Sequence, residues 1–173
     1  MFLLLLLMFI LIFADQFTKW LAVVHLRESG SFVIIEDVLE LTYHENPGAA
    51  WGMLQDHRWV FMVTSVVAIT GILIFLCKCH SSLHPVLKIA LSLIVAGGAA
   101  NMIDRVLLGY VVDFISFVLI NFPIFNVADM CVTVGAGLMI AWLLFFDLPA
   151  GVKEENAKKK LSGAADGKAG EDK

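Results

Sequence analysis

Four long apolar segments decide what this chain can fold into. They cover residues 3–26, 59–77, 86–108 and 126–147, and each is close to the ~20 residues that an α-helix needs to cross a bilayer core. A segment in lipid must satisfy its backbone hydrogen bonds internally, so all four are predicted to be helices. Since 60% of the 173 residues are hydrophobic and 16% are charged, we expect a membrane all-α protein with four transmembrane helices.

The first segment is predicted to stay as a span rather than to be removed as a signal peptide. No basic residue precedes Lys19, no A-x-A site follows, and the apolar run continues over 20–24. The membrane domain is therefore predicted to cover residues 1–150. Residues 151–173 have almost no large apolar side chain and are expected to form a disordered cytoplasmic tail.

Loop charges predict the orientation of the helices. The loop between the second and third segments carries Lys78 and Lys88 without an acid, and the tail carries a run of lysines at 158–160. The segment 27–58 holds six acidic residues. By the positive-inside rule, both termini lie in the cytoplasm and the acidic segment faces outward.

The acidic outward segment is not featureless. Residues 31–35 and 38–43 are rich in β-branched and aromatic residues, and a turn at Asn46-Pro47-Gly48 follows them. This pattern predicts a small extracytoplasmic β-sheet, or cradle, of two or three strands between helices 1 and 2, lying on the membrane surface.

Polar side chains from five segments are expected at one depth, near the outer boundary of the membrane. They are Asp15, Thr18, Lys19, Asn46, Asn101, Asp104, Arg105, Asp113, Asn126 and Asp129. Intramembrane carboxylates are costly, at about 2.5–3.5 kcal/mol or more. Pairs such as Asp15 with Lys19, or Asp104 with Arg105, would neutralise part of this charge. Four acids face two bases, which leaves Asp113 and Asp129 without an evident basic partner.

A pair of unpartnered carboxylates fits three classes of protein. Two carboxyl groups are sufficient to act as the acid and the base in a hydrolysis reaction. They also suit a small proton- or ion-coupled transporter. The acids cluster at one depth, which disfavours a path through the membrane. A structural subunit is the third alternative. Gly97-Gly98 favours close helix packing over a substrate contact, and Cys77-x-Cys79-His80 with His84 fits no common zinc pattern.

The ordered motifs of the chain resemble those of lipoprotein signal peptidase, or signal peptidase II, a bacterial membrane aspartyl protease family. The motifs are DQFTK at 15–19, NPGAAW at 46–51, GGAANMIDR at 97–105, VDF at 112–114 and FNVAD at 125–129. The resemblance covers about residues 10–146. Ala100 departs from the usual Gly and Trp51 from the commoner Phe, which affects packing and substrate fit rather than chemical groups.

The resemblance implies the roles of individual residues. Asp113 and Asp129 would be the catalytic pair, and the division of acid and base roles between them stays open. The supporting and substrate-binding residues would be Asp15, Lys19, Asn46, Gly48, Asn101, Arg105 and Asn126. No metal and no cofactor is expected.

The resemblance also implies the substrate and the location. The chain would cut diacylglyceryl-modified prolipoproteins just before the lipidated cysteine and release the signal peptide. It would be a multi-pass protein of the bacterial cytoplasmic (inner) membrane, with its active site on the outer side. Contact with membrane lipids, inhibition by globomycin-like cyclic peptides, a monomeric state and no nucleic-acid partner are expected.

Overall fold

The computed structural model describes residues 1–48, 58–120 and 122–145. In chain order these residues form helix α1 (Phe2–Leu26), strands β1 (Phe32–Ile35) and β2 (Leu39–Asn46), helices α2 (Arg58–Cys79) and α3 (Pro85–Leu107), strand β3 (Val111–Phe117), a short 3-10 helix (Val118–Ile120) and helix α4 (Val127–Phe145). In this part of the chain, four helices are long and apolar enough to cross a membrane. The predicted fold class is therefore confirmed. The predicted disordered tail lies outside the described residues.

Local signals in the sequence explain where the third helix begins and ends. His84 is the N-cap of α3 and its ring accepts a hydrogen bond from the Val86 amide, while Pro85 occupies the first turn. Proline suits this position because its missing N–H would have no intrahelical partner. After the C-cap at Leu108, Gly109 has a positive φ of 87°. Glycine adopts this conformation without steric cost, so the chain leaves the helix and turns into β3.

The three strands form one antiparallel sheet in the order β1-β2-β3. The sequence predicted this sheet between helices 1 and 2, and two of its strands do lie there. The third strand comes instead from the connection between α3 and α4, so that β2 pairs with β3 and His44 lies opposite Asp113. Residues 111–117 (VVDFISF) have the β-branched and aromatic composition of a strand, but their partner strand is distant in the sequence.

The sheet lies at one end of the helical bundle. At its inner face Ala22 of α1 packs in a cluster with Val112 and Phe114 of β3. At the opposite end, the N-terminal amine is 3.1 Å from Nε2 of His80 in the turn between α2 and α3. The N-terminus and this turn therefore share one side of the bundle, and the sheet is at the other end of α1.

Two glycines bring α3 and α4 into close contact. A Cβ atom at Gly97 would collide with the Ala128 carbonyl oxygen and would come within 2.8 Å of Val132 Cγ2. On α4, a Cβ at Gly135 would lie 2.7 Å from the carbonyl oxygen of Ala90. Small residues let helix backbones approach in this way. Gly97 therefore serves helix packing, and it sets the distance between α3 and the beginning of α4.

We expect Gly97→Leu to lower the thermal stability of the protein, because overpacking a close helix contact costs about 1–3 kcal/mol. Gly137→Leu on α4 is the matched control, since no atom lies within 4 Å of a Cβ built there. Thermal unfolding of both variants in detergent measures the effect. Equal melting temperatures for the two variants would contradict the packing role of Gly97.

Candidate active site

The first turn of α4 fixes the position of Asp129. Asn126 is the residue before the helix, and its Oδ1 accepts a hydrogen bond from the Asp129 amide at 3.0 Å. In return, Asp129 Oδ2 accepts from the Asn126 amide at 3.2 Å. This is a reciprocal capping arrangement, in which the side chains of the cap and of the third helical residue satisfy each other's backbone N–H groups. The Asp129 carboxylate is therefore held at the end of the helix that adjoins the sheet.

Strand β3 presents the second carboxylate, Asp113, to the same place. Its Oδ2 accepts a hydrogen bond from Asn46 Nδ2 at 2.8 Å, and its Oδ1 accepts from Asn126 Nδ2 at 2.6 Å. The side chain is buried, with 1% exposure. Burial raises the pKa of Asp113 to about 7, the two amide donors oppose this shift, and the charge of Asp129 adds to it.

Hydrogen bonds fix the orientations of two side-chain amides beside the acids. Asn101 Oδ1 accepts from Lys19 Nζ at 2.8 Å and from Asn126 Nδ2 at 3.1 Å. The amide nitrogen of Asn101 therefore points to Asp129 Oδ1, at 2.8 Å. Asn126 contacts both acids, through its backbone N–H to Asp129 and its side-chain amide to Asp113. The two carboxylates are thus linked through a single residue.

Behind the amides lies a buried ion cluster. Lys19 Nζ is 2.9 Å from Asp15 Oδ2 and 2.9 Å from Asp104 Oδ2, and its third contact is Asn101. An ammonium group has three donors, so Lys19 uses all of them, and it is 3% exposed. The sequence suggested Arg105 as the ionic partner of Asp104. The salt bridge to Asp104 comes from Lys19 on another helix.

The acids of this cluster also hold the backbone around the site. Asp15 Oδ1 accepts from the Ala128 amide of α4 at 2.7 Å. Asp104 Oδ2 accepts from the Val112 amide at 3.1 Å, one residue before Asp113. Because both bonds reach segments that carry the paired acids, α1 and α3 position the beginning of α4 and the beginning of β3.

Gln16 and Asp104 belong to this network although the sequence did not place them among the site residues. Gln16 Nε2 donates to Asp104 Oδ1 at 2.8 Å and to the Ala100 carbonyl at 3.2 Å. An amide in an apolar segment has to find a buried partner, and this signal could have identified Gln16. Ala100 is 1% exposed, so its methyl group is accommodated in the packed interior.

Arg105 and Gly48 complete the group of predicted site residues. Arg105 Nη2 donates to the Gly48 carbonyl at 3.1 Å, and Nη1 donates to the Asn101 carbonyl at 3.4 Å. The Gly48 amide in turn donates to Asn46 Oδ1 at 3.0 Å, which closes a turn after β2. Trp51 lies outside the described residues.

A cavity of about 520 Å³ opens in front of the acids. Asp113 and Asp129 line it together with Asn46, Asn101 and Arg105, and its remaining lining is mainly apolar, from the segment 122–125 and from α4. This volume is in the range of sites that bind small molecules or short peptide segments, roughly 300–1,000 Å³. In the part of the chain that the structure describes, no three His, Cys, Asp or Glu side chains are grouped as ligands for a metal ion.

Hydrogen bonds and salt bridges therefore join the nine site residues predicted from the sequence into one network. Seven of them converge through hydrogen bonds and salt bridges on the two acids, from α1, α3, α4 and the sheet. Two amide donors hold each carboxylate. Such a pair, buried beside an apolar cavity, is suited to share one proton and to exchange it with a substrate.

Comparisons with known proteins address the family of the chain. A family described as signal peptidase (SPase) II matches residues 7–145. A lipoprotein signal peptidase of Brevibacillus brevis is 45% identical over 131 residues, covering 76% of this chain and 87% of the relative. One of Symbiobacterium thermophilum is 44% identical over 135 residues, covering 77% and 88%.

Solved structures give the same result for the fold. A bacterial membrane enzyme solved by the in meso method superposes with a TM-score of 0.77 at 35% identity, covering 83% of this chain and 88% of that one. A second such enzyme has a TM-score of 0.76 at 34% identity, covering 84% and 95%. Because the family match spans most of the chain and the curated relatives agree with it, the chain belongs to the signal peptidase II family of membrane peptidases.

Proposed function

We propose that this protein removes the signal peptide from diacylglyceryl-modified prolipoproteins by aspartyl chemistry, cutting before the lipidated cysteine. The single observation that carries this proposal is that Asp113 and Asp129 line one cavity and are both bonded to Asn126. The names of the relatives supply the substrate class. Membership of the family implies peptide-bond hydrolysis, and the acid pair supplies a means to perform it.

The geometry supports a division of roles between the two acids. Asp113 is 1% exposed whereas Asp129 is half-buried, and burial disfavours the ionised form. We therefore assign the shared proton to Asp113. Asp129 accepts a proton from water, which attacks the scissile carbonyl, and Asp113 donates a hydrogen bond to the carbonyl oxygen. The proton on Asp129 then passes to the leaving amine.

Other groups at the cavity bind and orient the substrate. The guanidinium of Arg105 donates to the Gly48 carbonyl and lines the cavity. In this proposal it stabilises negative charge on the reacting carbonyl. The sheet forms the wall that carries Asp113, and an extended substrate segment would lie beside it. Deletion of residues 32–43 should therefore reduce turnover. Unchanged turnover would show that the sheet does not bind the substrate.

The described residues give no support to a transporter. Buried charged side chains in this part of the chain are Asp15, Lys19, Asp104 and Asp113, and all of them belong to the one connected network near the sheet. A path for ions requires such groups along the depth of the membrane. We also propose that both termini are cytoplasmic and that the site faces outward, on the basis of the loop charges of Lys78 and Lys88 and the lysines at 158–160. The assignment to the bacterial inner membrane rests on membership of the family.

Incubation of the purified protein in detergent with a lipobox peptide tests the function. The peptide carrying diacylglycerol on its cysteine should be cut just before that cysteine, and mass spectrometry identifies the products. The same peptide without the lipid is the control. Globomycin-like peptides should inhibit the cleavage. If the lipidated peptide remains intact, the proposed function is wrong.

The rate of cleavage should fall as the pH rises through about 7. The pKa of Asp113 is raised to about 7, so the proton required by the pair is present below this pH and is lost above it, with about a tenfold loss of rate per pH unit. In Asn46→Ala the carboxylate loses a donor that stabilises its ionised form. The alkaline limb of the pH–rate profile should therefore move to higher pH. A shift to lower pH would contradict this role of Asn46.

A further inference from the structure

We propose that the protein holds one acyl chain of a membrane glycerophospholipid in a second cavity, between α1 and the sheet. This cavity has a volume of about 470 Å³, which is similar to that of the cavity at the acids. It is lined by the outer third of α1, by the turn 29–31 and by one residue from each strand. The proposal concerns a site separate from the acids and does not rest on the proposed reaction.

The depth of the cavity is apolar. Ala22 and Phe114 form its buried end, with exposures of 3% and 7%, and the half-buried Leu21 and Leu41 line it as well. An apolar space of this size suits a hydrocarbon chain, whose transfer from water is favourable in proportion to the area that is buried.

The rim of the cavity is polar. His25, Ser29 and Ser31 are exposed and line the opening. These side chains are hydrogen-bonding groups of the kind that a phosphate and glycerol headgroup can contact. An apolar depth below a polar rim matches an amphiphile whose chain enters the protein while its headgroup remains at the interface.

The cavity adjoins a surface of α1 that we assign to the membrane. It lies along the part of α1 in which the neighbouring Trp20 and Val24 are exposed, at 55% and 53%, on a 25-residue apolar helix that crosses the membrane. Lipid chains therefore surround this segment of α1. The adjoining strand β1 also exposes its apolar side chains, so apolar surface borders the cavity on this side as well.

The sheet separates this cavity from the acids. Phe114 and Asp113 are neighbours on β3, and successive side chains of a strand point to opposite faces. Phe114 lines the second cavity whereas Asp113 lines the first. A lipid chain attached next to a scissile bond at the acids would have to pass around the sheet to reach Phe114. The occupant is therefore assigned to the bulk membrane rather than to the substrate.

Photolabelling in lipid nanodiscs tests the proposal. The protein is reconstituted with a phosphatidylglycerol that carries a diazirine at the end of one acyl chain, and the labelled peptides are identified by mass spectrometry. We expect label on Phe114. Leu21→Trp, which places a larger side chain in the cavity, should reduce this label about tenfold, equivalent to a loss of about 1.4 kcal/mol in binding. The matched control Val24→Trp, one turn away on the lipid-facing side, should leave the label on Phe114 unchanged.

Ser31→Trp provides a second variant in case Leu21→Trp fails to fold, because residue 31 is exposed at the rim and its substitution leaves the core packing intact. It should also reduce the label on Phe114. Absence of the label from Phe114 in the unchanged protein, or equal labelling in all variants, would overturn the proposal.

A second arm identifies the source of the chain. A lipobox peptide with the diazirine on its diacylglycerol is added to the Asp129→Asn protein, which should not cut it. Label on Phe114 from this peptide, with displacement of the phospholipid, would overturn the assignment to a bulk lipid. If the peptide gives no label on Phe114, the assignment of the cavity to a bulk phospholipid is supported. The phospholipid experiment tests this assignment even if the peptide is not a substrate of the protein.

Discussion

Asp113→Asn and Asp129→Asn should each reduce cleavage of the lipidated peptide by about 10³-fold or more, within the range that proton transfer by a positioned side chain contributes. Asparagine has the shape of aspartate but neither accepts nor releases the proton that the reaction requires. Both acids are needed, because one takes the proton of water and the other holds the carbonyl oxygen. The kcat of each variant measures the effect.

The matched control is Asp37→Asn. Asp37 is an exposed residue in the turn between β1 and β2, with a positive φ of 57° that asparagine tolerates. This variant should cleave at the rate of the unchanged protein. All three variants should insert in the membrane and melt at similar temperatures. A tenth or more of the normal rate in Asp113→Asn or Asp129→Asn would rule out the acid pair as proposed.

The double variant gives a sharper test. Residues that act as one catalytic unit have non-additive effects, so Asp113→Asn combined with Asp129→Asn should be no slower than the worse single variant. If the two losses multiply instead, the acids act in separate steps. The measurement requires only the same cleavage assay at a higher protein concentration.

Lys19→Met should destabilise the protein by about 3–5 kcal/mol, the usual cost of removing one partner from a buried ion pair. Lys19 compensates both Asp15 and Asp104 at 2.9 Å, and a methionine of similar size leaves two buried carboxylates without a cation. At about 2–4 °C per kcal/mol, the melting temperature should fall by ~6 °C or more. Thermal unfolding in detergent measures this change.

Cleavage should also decrease in Lys19→Met, because Lys19 orients the Asn101 amide that donates to Asp129. Lys78→Met is the control. Lys78 is exposed in the last turn of α2, and its replacement should change neither stability nor rate. If Lys19→Met melts like the Lys78 variant, the ion cluster does not hold the site together.

Local pattern was sufficient for the helices and for part of the sheet. Apolar segments of the required length predicted all four spans, since the hydrocarbon core dictates length and composition directly. Local patterns also predicted the turn at Asn46 and the strand-like segments before it. They did not predict strand β3, because a strand forms only with a partner, and two helices separate β2 from β3 in the sequence. Asp113 lies between the third and fourth predicted segments, and the sequence did not assign it to the sheet.

The sequence by itself determined that polar groups must gather in this membrane protein, because three of the four apolar segments carry costly charged residues, among them Asp15, Asp104 and Asp129. The count of acids against bases singled out Asp113 and Asp129. The partners of each group were decided only by the tertiary structure. Lys19 binds Asp104 across two helices, and Asn126 joins the two acids. Such contacts depend on distances between segments that are far apart in the sequence. Two features set these distances: the close packing of α3 and α4 at Gly97, and the pairing of β2 with β3. Local sequence patterns do not encode them.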